Sequence, residues 1–416
     1  MFKTLSSIVL LCCPLVAVAL DGVEPIGWSM PAMARGGADV AVGDTALSQI
    51  ENPATLTLNP DQLCRFDAAG QLFMPDTQWD GLLGSAQSSV RHVPFGHAGL
   101  VIPVNERIGL GLALYSKSQF RTRYRMRHLL SPWTARRVGA DLYDMALALN
   151  VGYKVNEKLS LGVGGRAELV TAEFKTVSGP TAVDFDRGYT IGGGFQLGAL
   201  YELTPTLTAG LGYRSRTWLH DIAGRDRRTL YQSVSWLKNY GIPTIRLVNA
   251  DIADMMLPQR VAGGLAWDAT DRLKLFGEVR WINYSDSVLH KAKFLVGRGG
   301  LTFRSPIGYH DQWVMIAGAE YKLDEHWIIA GGYHYATNPV ARKEMNPLSI
   351  HIVEHQITTG LRYQKDNWWA GVGYILGLPA SLSRTGTTAI PLGLDYMAIE
   401  VRQMQHSVTC GFGFSW

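Results

Sequence analysis

Val408-Thr409-Cys410-Gly411-Phe412-Gly413-Phe414-Ser415-Trp416 is the stretch that decides the fold. On an extended backbone Val408, Cys410, Phe412, Phe414 and Trp416 share one face. Thr409, Gly411, Gly413 and Ser415 share the other. Side chains along a strand alternate between faces, so the segment predicts a strand with one apolar face and one face of small groups. The pattern recurs upstream. In Trp313–Leu323 one face carries Trp313, Met315, Ala317, Ala319, Tyr321 and Leu323. In Leu273–Ile282 the apolar face is Leu273, Leu275, Val279 and Trp281, and its partner face holds Lys274, Phe276, Glu278, Arg280 and Ile282. Tyr189–Leu203 sets Tyr189, Ile191, Phe195, Leu197, Tyr201 and Leu203 against Thr190, Gly192, Gly194, Gln196, Gly198 and Glu202.

These segments are longer than ordinary strands of five to six residues and match tilted membrane-spanning strands. Aromatics cluster near their ends: Tyr143 and Tyr153, Tyr189 and Tyr201, Trp313 and Tyr321, Trp327 and Tyr335. That distribution is expected of interfacial girdles. Composition agrees. The chain is 47% hydrophobic yet only 18% charged, and its mean hydropathy is +0.02. A helical membrane bundle needs about 18 or more consecutive apolar residues per span, and no run after Leu20 approaches that length. Apolar residues at every second position reconcile the numbers.

Connections alternate between short and long. The short ones are Val104–Arg107, Val155–Lys158, Thr204–Thr206, Ala269–Arg272, Asp324–His326 and Asp366–Asn367. Most carry the Asn, Asp or Pro that favours turns. The long ones are Pro75–Pro94, Ser116–Asp141, Lys175–Arg187, Leu219–Leu257, Ser285–Asp311, Ala336–Val353 and Leu376–Tyr396. Short periplasmic turns and long outer loops are the habit of outer-membrane barrels. With a first strand near Cys64–Phe73 and a last near Ile399–Trp416, the count is about fourteen. An even count closes an antiparallel barrel without a free edge. The fold class is therefore an all-β transmembrane antiparallel barrel.

Residues 1–19 read as an export signal: Lys3, the apolar Leu5–Val16, then Ala17-Val18-Ala19. Residues 20–61 lack the period of two and hold Gly27, Gly36, Gly37 and Gly43. A barrel of this size has a lumen wider than its side chains fill, so this segment is expected inside it as a plug, with residues 62–416 forming the barrel. Cys64 and Cys410 fall in the first and last strands, and the register that decides a bridge between them is not readable from the sequence.

The stretch Ala34–Leu58, ARGGADVAVGDTALSQIENPATLTL, is glycine-rich, then acidic, then Asn52-Pro53-Ala54. It resembles the hatch of the FadL/TodX family of outer-membrane transporters. Leu257-Pro258, Trp281-Ile282-Asn283-Tyr284-Ser285, Asp311–Trp327 and Asn338-Pro339-Val340 resemble further segments of that family. The resemblance implies a fourteen-stranded barrel with an N-terminal hatch. It also implies passive uptake of hydrophobic molecules, long-chain fatty acids first and aromatic or other neutral hydrocarbons as the alternative, with release through the wall.

Phe276, Ile282 and Phe174, with Phe73 and Val170, are expected to line the lumen. A fatty-acid carboxylate needs a cation, for which Arg166, Arg280, Lys291 and Lys293 are candidates. Arg166 and Glu168 share an inward face, as do Glu278 and Arg280, so mutual neutralisation is the competing reading. The family's late basic residue in the fifth strand is replaced near Thr171, which keeps neutral hydrocarbons open. The fourth loop is apolar in its middle, and Leu230, Trp236, Leu237 and Tyr240 are candidates for first contact with substrate. Gly109 and Gly111 either permit a kink in the third strand or pack against a neighbour.

The other expected partners are outer-membrane lipid and lipopolysaccharide, which Arg121–Arg137 faces with six arginines, and the barrel assembly machinery through the strand ending at Trp416. An export signal argues against nucleic acid. His351-Ile352-Val353-Glu354-His355 matches H-x-x-E-H, but that zinc motif works on a helix, and this one runs into a strand. Ser287 with His220 or His290 is the pair a lipid-acting enzyme of the outer membrane would need. The sequence predicts no catalysis, metal or cofactor.

Overall fold

The computed structural model describes residues 20–59, 62–81, 83–128, 131–178, 181–223, 230–233, 246–247, 250–296, 301–347, 350–384 and 400–416. Fourteen antiparallel strands close into a barrel. They are β1 (Arg65–Gly81), β2 (Val93–Asn105), β3 (Ile108–His128), β4 (Ser131–Lys154), β5 (Leu159–Ser178), β6 (Thr181–Thr204), β7 (Leu207–Arg214), β8 (Arg260–Asp268), β9 (Leu273–Ile282), β10 (Gln312–Lys322), β11 (Trp327–Ala336), β12 (His355–Lys365), β13 (Trp368–Ser383) and β14 (Glu400–Ser415). Closure is made by β14 on β1, from Glu400 opposite Asp80 to Ser415 opposite Arg65. Cys64 and Trp416 complete the seam, each amide donating to the other's carbonyl at 3.0 Å. Cys410 stands opposite Gly70, so register keeps the two cysteines apart, and both are free thiols.

The six short turns fall where the sequence places them, and several share one device. Asn105 Oδ1 accepts from the amides of Arg107 and Ile108, both at 2.9 Å. Asn156 Oδ1 accepts from Lys158 and Leu159, both at 2.9 Å. Asp324 Oδ1 accepts from His326 at 2.7 Å and Trp327 at 2.8 Å. A short side-chain acceptor at the strand end thus satisfies the amides that the ladder leaves over.

The alternation becomes two environments. Leu149, Ile191, Leu211, Trp313, Met315 and Val372 are exposed on the outer face, while Asn150, Thr190, Gly212, Val314, Ile316 and Gly373 point to the lumen. From Tyr189 to Tyr201 is about 40 Å of strand at about 3.3 Å per residue. Tilted by about 40°, it covers about 30 Å, the depth of a bilayer core. No described helix is long and apolar enough to cross a membrane.

Four of the expected long connections need correction, since Pro75–Gly81 belongs to β1 and Leu376–Ser383 to β13. Ser116–Asp141 and Lys175–Arg187 are not loops: β3 and β4 pair continuously past the membrane to His128 opposite Ser131, and β5 and β6 pair to Ser178 opposite Thr181. A ladder that satisfies its own backbone continues into water at no hydrogen-bond cost. Among the outer connections, Ile222–Ala223, Ala250–Ala253, Lys291–Val296 and Leu301–Pro306 form a separate four-stranded sheet.

Candidate functional site

The N-terminal segment Leu20–Asn59 is buried almost throughout, and its partners are the inward-facing side chains of the wall. Asn52 starts the short helical turn Pro53–Thr57, accepting the Ala54 amide at 3.0 Å. Its Nδ2 donates to Val40 O at 2.7 Å within the segment and to Ala199 O of β6 at 3.0 Å. Pro53 fits the first helical position, where its missing N–H costs nothing. Ala54 and Pro53 pack on Gly162 of β5, and Asn52 and Pro53 on Gly198 of β6; a Cβ on either glycine would overlap these atoms. Asn52-Pro53-Ala54 is therefore one of the points where segment and wall backbones approach closely, as Val40 does at Gly210 and Arg35 at Gly318.

Charges join the rest. Arg35 is fully buried among Asp39 at 2.7 Å, Asp44 at 2.8 Å and Glu320 of β10 at 2.8 Å. Burial, reinforced by Asp44 and opposed by Arg35, raises the Asp39 carboxyl. Arg35 and Arg362 hold Asp44 below the usual carboxylate range against burial. Arg280 of β9 binds Glu278 at 2.6 Å, Asp21 at 2.9 Å, and the carbonyls of Ile26 at 2.8 Å and Gly37 at 2.5 Å. His334 of β11 meets Asp21 at 2.5 Å and Gly36 O at 2.8 Å. Burial pushes the Asp21 carboxyl up, but His334 and Arg280 overcome it and hold it at about 2. Arg260 pairs with Glu24 at 3.1 Å and Glu51 at 2.6 Å, and Arg214 also pairs with Glu24.

Arg166 donates to Glu168 at 2.9 Å and to the carbonyls of Phe195 and Ser215 at 2.8 and 3.0 Å. A group that sequence reasoning missed completes this cluster: Lys117 of β3, fully buried, at 2.6 Å from Glu168, 3.1 Å from Asp144 and 2.8 Å from Thr217 Oγ1. Its signal was a lone lysine between two serines at the point where the β3 alternation changes phase.

That phase change is a β-bulge at Ser116–Ser118, and it marks a break in the wall. The β2–β3 ladder stops at His97 opposite Tyr115, although both strands continue. Above it the Gln119 amide donates to Val23 O of the N-terminal segment at 2.9 Å. The Gln119 side chain reaches Pro94 O at 2.7 Å. Backbone contact with β3 resumes from the β1–β2 connection, where the Ser89 amide donates to Arg123 O at 2.8 Å. Gly109 and Gly111 are not the irregularity. They pair in the ladder and accommodate Leu56 and Gln49 of the segment.

The structure brings Phe174, Phe276 and Ile282 into one buried apolar cluster with Val170, Val23, Ala38, Phe120 and Tyr284. Arg35 lies over the Phe276 ring at 4.9 Å, and Phe174 meets Phe294 at 5.4 Å between centroids. Phe73 belongs to a separate small cluster with Leu20 and Phe95. Arg166 and Arg280 lie in the ion networks, and Lys291 is exposed at the head of the outer sheet. Leu230 begins a short strand against β6; Trp236, Leu237 and Tyr240 fall outside the described residues.

His351 and His355 do not converge. Buried His351, held neutral at about 3 by burial, bonds Tyr309 Oη through Nδ1 at 2.6 Å. His355, on β12, is exposed and bonds Tyr333 Oη at 2.6 Å. Among the described residues no group of three His, Cys, Asp or Glu can hold a metal. Ser287 donates to Tyr284 O at 2.7 Å, and His290 bonds Tyr309 O at 2.8 Å.

Residues 23–393 match the family model of the outer membrane protein transport protein (OMPP1/FadL/TodX). The chain is 23% identical over 411 residues to the long-chain fatty acid transport protein of Escherichia coli K12, covering 86% of this chain and 83% of that one. Its structure is similar to the P. putida toluene transporter TodX, with a TM-score of 0.76 at 17% identity over 94% of this chain and 99% of that one. The Ralstonia pickettii toluene transporter TbuX gives a TM-score of 0.74 at 18% identity, covering 94% and 98%. The alternating wall, the buried N-terminal segment and the family match converge on one conclusion: this chain is an outer-membrane β-barrel belonging to the OMPP1/FadL/TodX family of transport proteins.

Proposed function

We propose that the protein carries uncharged hydrophobic compounds passively across the outer membrane. Residues 20–61 act as a hatch in the barrel 62–416, and residues 1–19 as the export signal. The fourth loop, with Leu230, Trp236, Leu237 and Tyr240, makes first contact. The apolar cluster around Phe174, Phe276 and Ile282 accepts the molecule, and the break between β2 and β3 releases it sideways once Val23 moves. The observation that carries the choice of cargo is the pairing of lumen cations. Lys117, Arg166, Arg214, Arg260 and Arg280 each have a carboxylate partner. A fatty-acid carboxylate would have to displace a buried acid, at a cost of several kcal/mol. A neutral hydrocarbon needs only burial of its surface, worth about 25 cal/mol per Å². Fatty-acid uptake stands as the second reading, because the exposed Lys291 can meet a carboxylate at the outer face.

Titration of the purified protein with toluene and with oleate, followed by tryptophan fluorescence, separates the two. Saturable toluene binding, with oleate binding unchanged by Lys291→Gln, supports neutral cargo. Saturable binding of oleate alone, weakened by Lys291→Gln, favours fatty acids and overturns the proposal.

A further inference from the structure

Beyond the membrane the β3–β4 hairpin is basic on its outer face. Below the Lys117 bulge Leu110, Leu112 and Leu114 point outward and are 40%, 40% and 47% exposed. Above it Phe120, Thr122 and Tyr124 are buried, so Arg121, Arg123 and Arg125 take the outward positions, and Arg127, at the next irregularity of the ladder, is exposed. Arg137 of β4 stands directly opposite Arg125. Three carboxylates serve the surrounding surface. Asp141 takes Arg121 at 3.1 Å and Arg187 at 3.0 Å. Glu173 takes Arg137 at 3.5 Å, with Lys175 and Arg187 each at 3.7 Å. Asp186 takes Lys175 at 3.3 Å. Among the described residues Arg123, Arg125 and Arg127 have no acidic partner, and Asp141, Glu173 and Asp186 are each already paired with another cation.

Like charges directly opposite in a ladder repel, so the Arg125–Arg137 pair is unfavourable until an anion lies beside it. Height identifies the anion. From Ile108 to Arg121 the tilted strand climbs about 33 Å at about 3.3 Å per residue and about 40° of tilt. That just exceeds the roughly 30 Å hydrocarbon core and brings the guanidinium groups to the headgroup level. A guanidinium fork matches a phosphate's oxygens in two parallel hydrogen bonds.

We propose that Arg123, Arg125 and Arg127, with Arg137 opposite, bind the phosphate groups of lipopolysaccharide in the outer leaflet. The bound lipid would lie against the strand whose next segment down borders the β2–β3 break.

The test titrates the full-length protein in detergent with lipopolysaccharide, with the same lipid stripped of its phosphates, and with inorganic phosphate. Each basic residue held at an anionic surface contributes about a fivefold gain in binding. The triple variant Arg123→Gln, Arg125→Gln, Arg127→Gln is therefore expected to bind the phosphorylated lipid about 100-fold more weakly, and wild-type binding to fall with added salt. Arg125→Gln alone, which also removes the opposed pair, is expected to keep the barrel's heat-modifiable mobility and lose about fivefold. Failure of millimolar inorganic phosphate to compete supports a lipid site. Competition at micromolar concentration reassigns the site to free phosphate. Equal binding of the dephosphorylated lipid, or variants within about twofold of wild type, overturns the proposal.

Discussion

Arg280→Met tests how the N-terminal segment, the hatch of the proposed function, is held in the lumen. Arg280 makes four polar contacts, three of them to the hatch: Asp21 and the carbonyls of Ile26 and Gly37. Met fills much of the volume and restores none of these bonds. Asp21 keeps His334, and Glu278 keeps the amides of Asp39 and Val40 at 2.7 and 2.9 Å, but two buried acids lose their shared counter-charge. Hydrogen bonds to charged groups are worth about 1.5–3 kcal/mol each, which bounds the loss at about 9 kcal/mol for the three. Removing one partner of a buried ion pair costs about 3–5 kcal/mol in practice, and that is the expected weakening of the docked hatch. It corresponds to a roughly 150- to 5,000-fold rise in the undocked population. Hydrogen exchange reads that population directly. Hatch amides such as Met33, Gly37 and Ile50, bonded within the segment, should exchange faster by that factor, while amides of β12 and β13 stay protected. Adding Glu278→Gln should recover part of the loss. Unchanged hatch exchange in Arg280→Met would refute the claim that this network holds the hatch.

Asn52→Ala removes a helix cap and two carbonyl contacts, at about 1–2 kcal/mol; substrate uptake should change while the yield of heat-modifiable barrel stays constant, and equal loss of both would count against a gating role. Gly162→Leu forces a side chain into Pro53 and Ala54, so channel conductance to small ions should rise above the wild-type level in planar bilayers; an unchanged trace would mean that the turn yields without opening. Asp21 has a folded value of about 2 against an ordinary 3.8. Its contribution to docking is therefore complete above about pH 4 and is lost as pH falls toward 2. Hatch exchange should accelerate across that window in wild type, and Asp21→Asn should show faster exchange at neutral pH with a flatter acid response.

Much of the barrel was legible because strand, turn and environment agree residue by residue. Asn105, Asn156 and Asp324 mark turns by the same bonding they make in the fold, and alternation from Tyr189 to Leu203 names both faces. The extensions of β3 and β4 were not legible as strands because one bulge reverses the phase. Leu110, Leu112 and Leu114 face out at even positions; Arg121, Arg123 and Arg125 face out at odd ones. Read without the bulge, the upper half looks like an unpatterned basic loop, and Lys117 looks like one of its charges instead of a buried partner of Glu168 and Asp144. The motif Asn52-Pro53-Ala54 resembles the family's hatch, but it does not name the contacts of the segment that carries it: Arg35 with Glu320, and Asp21 with His334, join residues hundreds of positions apart. Only register brings them together.

Uptake of labelled toluene and labelled oleate by cells carrying or lacking the protein reads the proposed transport directly. Neutral-cargo transport predicts faster, saturable toluene uptake in cells carrying the protein, with a smaller gain for oleate. Equal uptake of both compounds with and without the protein would contradict it.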